Sequence, residues 1–414
     1  MRVAQCTAWL LLGLSPCQAD YPHARYLLGP SASLSLAQQL DWAVGRSFAR
    51  QAWVSAPAST AARDGLGPLF NANRCTSCHI NNGQGMLPER GPGLILKLSP
   101  DSAVGKQLQT FALPGYVAEG KIRWQTRHQA VSISEQHTVS LRWRHYRMEA
   151  HALTAGSAYD APVSARLAPA LVGMGLIDRI DRAALRAAAD PDDVDGDGIS
   201  GRANTLDNTR SDTIGIFGWK AAEPSLRTQI AAAFAEDIGI TSSQRQQQNT
   251  ADGNPVVAND GLVVEISEKL LDAVAFYVAN LALPPSQPVA PAAFFQAECH
   301  LCHQPRVALQ VRGDEPQDYA YAYSDFLLHD MGPGLADSPG EGAASGAEWR
   351  TAPLWGLGLR SSGRQPSRLL HDGRATSIHQ AILWHDGEAA ASRRLYLGLT
   401  DDTREHLIQF LRAL

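Results

Sequence analysis

The sequence predicts a mainly α-helical protein built from two copies of one small unit, the first copy enlarged by insertions with a few short strands. Three observations carry this. The pattern Cys-x-x-Cys-His occurs twice, at Cys75-Thr76-Ser77-Cys78-His79 and at Cys299-His300-Leu301-Cys302-His303. Each copy is followed by Arg-x-Ala-Pro and then Gly-x-Gly-Leu: Arg166 to Pro169 with Gly173 to Leu176, and Arg350 to Pro353 with Gly356 to Leu359. Each copy then closes on an amphipathic helix, Leu270 to Leu281 and His406 to Leu414, with apolar residues at helical spacing. Such self-similarity marks a duplicated unit.

In chain order, the first segment reads as an export signal. Arg2 supplies a positive start, Ala8 to Leu14 a short apolar run, and Cys17-Gln18-Ala19 a small-x-small cleavage site. Residues 1–19 are therefore expected to be a signal peptide, with the mature chain starting near Asp20 in the periplasm. Pro16 before Cys17 makes a poor lipobox, which disfavours a lipid anchor; a buried first helix is the alternative reading. The first unit then covers 20–284 and the second 289–414. Between them lies Leu283-Pro284-Pro285-Ser286-Gln287-Pro288, whose prolines cannot continue a helix. Trp124 to Met148 is rich in β-formers and arginines and reads as a short strand excursion of the first unit. Ser338 to Gly346, small and polar, is expected to be a mobile loop. The 414 residues are 44% hydrophobic and 19% charged, the balance of a soluble globular protein with real cores. The net charge of -5 leaves no electrostatic footprint for nucleic acid. No apolar run after the N-terminus is long enough to span a bilayer.

Cys-x-x-Cys-His is the attachment signature of c-type haem. Two thiols one helical turn apart add to the vinyl groups of one porphyrin, and the adjoining histidine reaches the iron as proximal ligand. A zinc site would need a closed set of N/S ligands, and thioredoxin-like pairs lack the histidine. Cys75, Cys78, Cys299 and Cys302 are therefore expected to hold two covalent haems, with His79 and His303 on the irons, in two cytochrome c-like haem domains. Asp193-Val194-Asp195-Gly196-Asp197-Gly198 reproduces the first half of an EF-hand-type loop. Asp193, Asp195 and Asp197 are candidate Ca²⁺ ligands, with Asn204 in place of the usual bidentate glutamate; a solvated acidic turn is the alternative.

Further motifs surround these sites: Phe70-Asn71-Ala72, Asp195 to Arg202, Phe217-Gly218-Trp219-Lys220-Ala221, Thr351 to Gly356, and Leu370-His371-Asp372-Gly373-Arg374-Ala375. Together they make nearly all of the mature chain resemble the di-haem oxidoreductases classed as peroxidases, also called thiol oxidoreductases. More distantly it is similar to the bacterial di-haem cytochrome c peroxidases and to the di-haem enzyme that matures methylamine dehydrogenase. The resemblance implies a division of labour. One iron keeps an open position for substrate, and the other, six-coordinate, stores or relays an electron. In the peroxidases the second haem takes a distal methionine shortly after His-Asp-Gly. The matching position here is His385 in Trp384-His385-Asp386-Gly387-Glu388, which implies His303/His385 ligation, with Met331 or His371 as alternatives. The distal histidine of the peroxidases' first haem has no counterpart. Its place falls near Tyr159, a ligand, a pocket residue or a surface residue, with His151 a further candidate; an open or weakly held iron is expected. The glutamine and glutamate that move the peroxide proton correspond to Gln229 and Asp237. The spacing keeps Glu236 open, and a solvated helix face is the plain alternative. Trp219 matches the tryptophan between the haems of the relatives and is implied as an electron relay; ordinary core packing is the alternative.

The functional expectation is an exported, peroxidase-like di-haem c-type cytochrome. Hydrogen peroxide or dioxygen reacts at the first haem, and a small cytochrome or copper protein supplies electrons through the second. The competing readings are an electron carrier with two six-coordinate haems, an enzyme oxidising a side chain of a partner protein, and an oxygenase acting on a polymer.

Overall fold

The computed structural model describes residues 29–99, 102, 105–135, 137–150, 162–206, 213–249, 264–283, 289–311, 317–358 and 367–414. Residues 1–19, His151, Tyr159, Pro284, Pro285 and Pro288 lie outside them. Among the described residues no helix is long and apolar enough to cross a membrane.

The mainly α expectation is wrong. The described residues give about 30% helix and 20% strand, with ten helices and several small sheets. Among the described residues the strands form five two-stranded antiparallel sheets. The largest departure is the Trp124 to Met148 stretch. It is no short excursion but a hairpin of two 13-residue strands, Gly120–Ser132 and Thr138–Ala150. Their register runs from Gly120↔Ala150 to Ser132↔Thr138. Arginines on both faces blunt the apolar alternation that normally announces a strand. Arg144 is buried on the inner face beside Tyr146 and Met148, ion-paired with Glu89, while Trp143, His145 and Arg147 face out.

The helices begin where the side chains can cap them. Ser35 and Gln38 form a capping box on Leu36–Arg50. Ser267 caps Glu268–Ala279, and Thr400 caps Asp401–Ala413, whose first turn carries Asp401 and Asp402. These last two are the closing helices of the repeats, each starting a little earlier than apolar spacing alone suggests. The repeat has a packing reason. A Cβ on Gly175 would lie 2.1 Å from the Ala279 carbonyl oxygen, and one on Gly358 would lie 2.0 Å from that of Arg412. In each copy the second glycine of Gly-x-Gly-Leu thus lets the chain touch the end of its closing helix.

The two copies share their cores. Phe326, Leu327 and Trp355 of the second unit pack with Trp42, Trp53, Phe217 and Tyr277 of the first. Ile133, Val139 and Leu141, at the far end of the long hairpin, pack into the second core with Leu383, Trp384 and Leu407. Arg142 donates to the Gly373 and Arg374 carbonyls at 2.6 and 2.9 Å, fastening the hairpin to the His371-Asp372-Gly373-Arg374 turn. The stretch from Ser338 to Gly346 is likewise anchored. The buried Lys220 ammonium donates to the Ser345, Gly346 and Glu348 carbonyls at 2.7–2.9 Å, and Arg202 donates to the Ala343 carbonyl at 2.9 Å.

Candidate functional site

Cys75–Cys78 forms one helical turn, and His79 follows it. The Nδ1 of His79 lies 2.7 Å from the Pro169 carbonyl, the proline of the first Arg-x-Ala-Pro motif. A backbone carbonyl fixes that nitrogen as the N–H, so Nε2 keeps its lone pair for a metal. Burial lowers the pKa of His79, which favours the neutral ring. Burial first, and then the charge of Asp237, push the Cys75 and Cys78 thiols up to about 12. Thiols held this firmly protonated are unlike a redox pair, which depends on thiolate.

Asp237 is therefore beside the first motif. Its backbone carbonyl accepts from the Asn71 and Ala72 amides at 2.8 and 3.0 Å, which explains the Phe70-Asn71-Ala72 marker. Gln107, which sequence reading missed, donates from Nε2 to the Asp237 carboxyl at 2.7 Å. Burial raises this carboxyl to about 6 against the pull of Gln107 and Lys97. Glu236 is ion-paired with Lys97 and held below its ordinary value, burial opposing. Gln229 sits elsewhere on the same helical run: a Cβ on Gly218 would lie 3.6 Å from its Oε1. Eight residues of helix separate it from Asp237, roughly 12 Å of rise, so the two do not form a hydrogen-bonded pair.

The second motif lines a largely apolar cavity with Trp219, Met331, Trp349, His371 and His385. Here the Nδ1 of His303 lies 2.8 Å from the Tyr323 carbonyl, not that of Pro353, so the two copies differ at this contact. The Nδ1 of His385 lies 2.8 Å from the Ala381 carbonyl. The two ring centroids lie 6.4 Å apart with the planes tilted by 44°. A metal bonded to both Nε2 atoms at about 2 Å each, plus the ring radii, gives a separation of roughly 6 Å. Burial and then His303 lower His385 to about 4, so both rings are available as neutral ligands. His371 is otherwise engaged, stacked on Trp349 at 3.7 Å and 8°. Cys75 and Cys78 with His79, and Cys299 and Cys302 with His303, have the donor chemistry to hold two haems.

Trp219 bonds to the Arg-x-Ala-Pro region of each repeat. Its indole donates to the Leu167 carbonyl at 2.9 Å, two residues before Pro169, and its own carbonyl accepts from the Arg350 amide at 3.0 Å. The Leu167 amide bonds the His371 carbonyl at 2.6 Å. The indole also lines the second cavity.

Sequence reading missed one further group. His329, buried, places Nε2 2.9 Å from Asp325 and Nδ1 2.7 Å from Glu388, with the Cys302 sulfur at 3.8 Å. Burial works against its charge, yet the bonds to Asp325, Cys302 and Glu388 raise it to about 12. In the acidic loop, Asp190 joins Asp193 and Asp195, with carboxylate oxygens all within 4.8 Å. Asp197 accepts from the Ile199 amide at 2.8 Å. Asn204 does not complete this group. It is buried, donates to the Lys220 and Glu341 carbonyls and accepts from the Ala343 amide.

A family model described as di-haem oxidoreductase, putative peroxidase, matches residues 153–414. No curated protein matches the chain. Hydrazine synthase from Kuenenia stuttgartiensis, solved under xenon pressure, aligns over 99% of this chain and 100% of its own at 14% identity. Its TM-score of 0.35 is too low to show a common fold.

Proposed function

This chain belongs to the di-haem oxidoreductase family, and on that premise we propose that it is an exported, peroxidase-like enzyme with two covalently held haems. Cys75, Cys78 and His79 hold the first, and Cys299, Cys302, His303 and His385 the second. When bound, the haems supply one-electron chemistry and, at an open iron position, a place for peroxide or dioxygen. The observation that carries this reading is the asymmetry between the motifs: a second histidine close to the motif histidine at the second, and a buried, protonatable carboxyl beside the first.

The side chains divide the work accordingly. Asp237 holds a proton up to about pH 6 and can pass it between substrate oxygens. Gln107 orients that carboxyl by donating to one oxygen, and the Lys97–Glu236 pair fixes the chain next to it. Gln229 packs beside Gly218, next to Trp219. Trp219 is the contact through which an electron passes between the two sides. The periplasmic location rests on the export-type residues 1–19. A calcium ion in the Asp190, Asp193, Asp195 and Asp197 loop is a part of the proposal that chelation tests: calcium restored after EDTA should raise the unfolding temperature.

Electron paramagnetic resonance of the oxidised protein tests the reading. One high-spin and one low-spin ferric signal are expected, and His385→Ala should convert the low-spin signal. Two low-spin haems in the wild type would replace the enzyme by an electron carrier. Acid-acetone extraction should leave both haems on the chain.

A further inference from the structure

The long hairpin carries charge out of keeping with the molecule. Between Gly120 and Ala150 there are six Lys and Arg against two Glu, in a chain of net charge -5. Register places Arg123 opposite Arg147, Gln125 opposite His145 and Arg127 opposite Trp143. Directly paired residues share a face, and all six of these side chains are exposed. Among the described residues, Glu149 is the acid that takes a partner on this face, pairing with Arg123.

Trp143 is the exception in chemistry. It is 41% exposed, an unusual setting for an indole in the middle of a cationic strand face. Its inner edge meets Trp384, with centroids 4.4 Å apart and the rings at 71°. Trp384 is buried and directly precedes His385. The Arg374 guanidinium lies over its ring at 4.6 Å, and a Cβ on Gly334 would come within 3.2 Å of it. Two indoles in contact thus run from the surface to the residue next to His385. A surface that gathers positive charge around an exposed aromatic group attracts an acidic protein and orients it.

We propose that the outer face of this hairpin docks a small acidic electron-carrier protein, with Trp143 as the contact through which its electron enters. The carrier's reduced metal loses one electron and the second haem iron gains it, with no proton or atom exchanged. The proposal rests on the second haem being the electron-entry side.

The test uses the di-haem protein with plastocyanin, a small acidic copper protein, and with a basic cytochrome c as the opposite-charge control. Calorimetry of the oxidised partners reads binding alone. Affinity for plastocyanin should fall at least about tenfold from low to physiological ionic strength, and the basic control should bind more weakly. The triple variant Arg123→Glu, Arg127→Glu, Arg147→Glu should lose a further tenfold or so. The neutral Arg→Gln triple serves if the reversed one fails to fold. Trp143→Leu should keep binding while slowing, at least about tenfold, transfer of one electron from the reduced second haem to Cu(II) in the complex. Plastocyanin binding that ignores both salt and charge reversal overturns the docking surface, and unchanged transfer in Trp143→Leu overturns the contact. An error in the electron-entry reading shows separately, as charge-dependent binding with a second haem whose low-spin signal is insensitive to His385→Ala.

Discussion

Glu119 is buried at 2% exposure, and its carboxylate accepts from the Gln109 amide at 2.7 Å. Burial outweighs that bond and raises it to about 8. The folded protein therefore binds a proton there that the unfolded chain releases near pH 4.5. Stability contributed by this group is intact below that value and falls as pH rises towards 8. At about 1.4 kcal/mol per pKa unit the loss is on the order of 4 kcal/mol. Glu119→Gln keeps an oxygen for Gln109, so it should match the wild type near pH 4 and exceed it at pH 8 in denaturant titrations; a wild-type slope in the variant would remove Glu119 as its source. Asp237→Asn probes the other raised carboxyl. It should slow the reaction with peroxide by roughly 100-fold while leaving the low-spin signal of the second haem in place, and equal rates would return Asp237 to a structural role. The two Cys-x-x-Cys-His motifs were legible because each lies within five consecutive residues. The Asp325–His329–Glu388 group was not, because Glu388 meets the Asp325–His329 stretch from far along the chain and no local pattern records the meeting.

Elements show the same division. The repeat was legible because Gly-x-Gly-Leu has a steric reason that survives in both copies. Gly358→Ala should therefore cost about 1–3 kcal/mol, since its Cβ would press on the Arg412 carbonyl and move the closing helix. Gly175→Ala should do the same against Ala279. Thermal unfolding by circular dichroism would read both, and a neutral Gly358→Ala would mean that the closing helix shifts at no cost. The closing helices were found within a few residues, because caps rather than apolar spacing fix their starts. The hairpin was half legible. Its β-formers announced strands, but its length depends on anchorage to the second core through Val139, Leu141 and Arg142, contacts far apart in sequence. The stretch from Ser338 to Gly346 looked loose for the same reason: Lys220 and Arg202, which hold it, lie more than a hundred residues upstream.

At the scale of the whole molecule, the two repeats share their cores, and the proposed relay role of Trp219 belongs to that scale. Its indole N–H holds the Leu167 carbonyl, two residues from the one that orients His79, while its ring lines the cavity of His303 and His385. Leu167 also bonds the His371 backbone, so a displacement at Trp219 would be felt on both sides. Trp219→Phe keeps the aromatic bulk but removes the donor. The buried Leu167 carbonyl is left without that bond, at a cost of about 1–3 kcal/mol, which sets the expected loss of stability. The functional loss should be of another kind. In stopped-flow spectra of the reduced protein mixed with peroxide, the first turnover at the first haem should keep its rate, because Asp237 and Gln107 are untouched. Oxidation of the second haem should then lag behind, where in the wild type it follows at once. Trp219→His separates the two effects, since an imidazole N–H can restore the hydrogen bond without restoring the indole. If stability recovers in that variant while the lag persists, the indole is the relay. If the lag disappears with the hydrogen bond, Trp219 serves only to hold the two repeats in register. A second haem that oxidises at the wild-type rate in Trp219→Phe would remove the tryptophan from the path altogether.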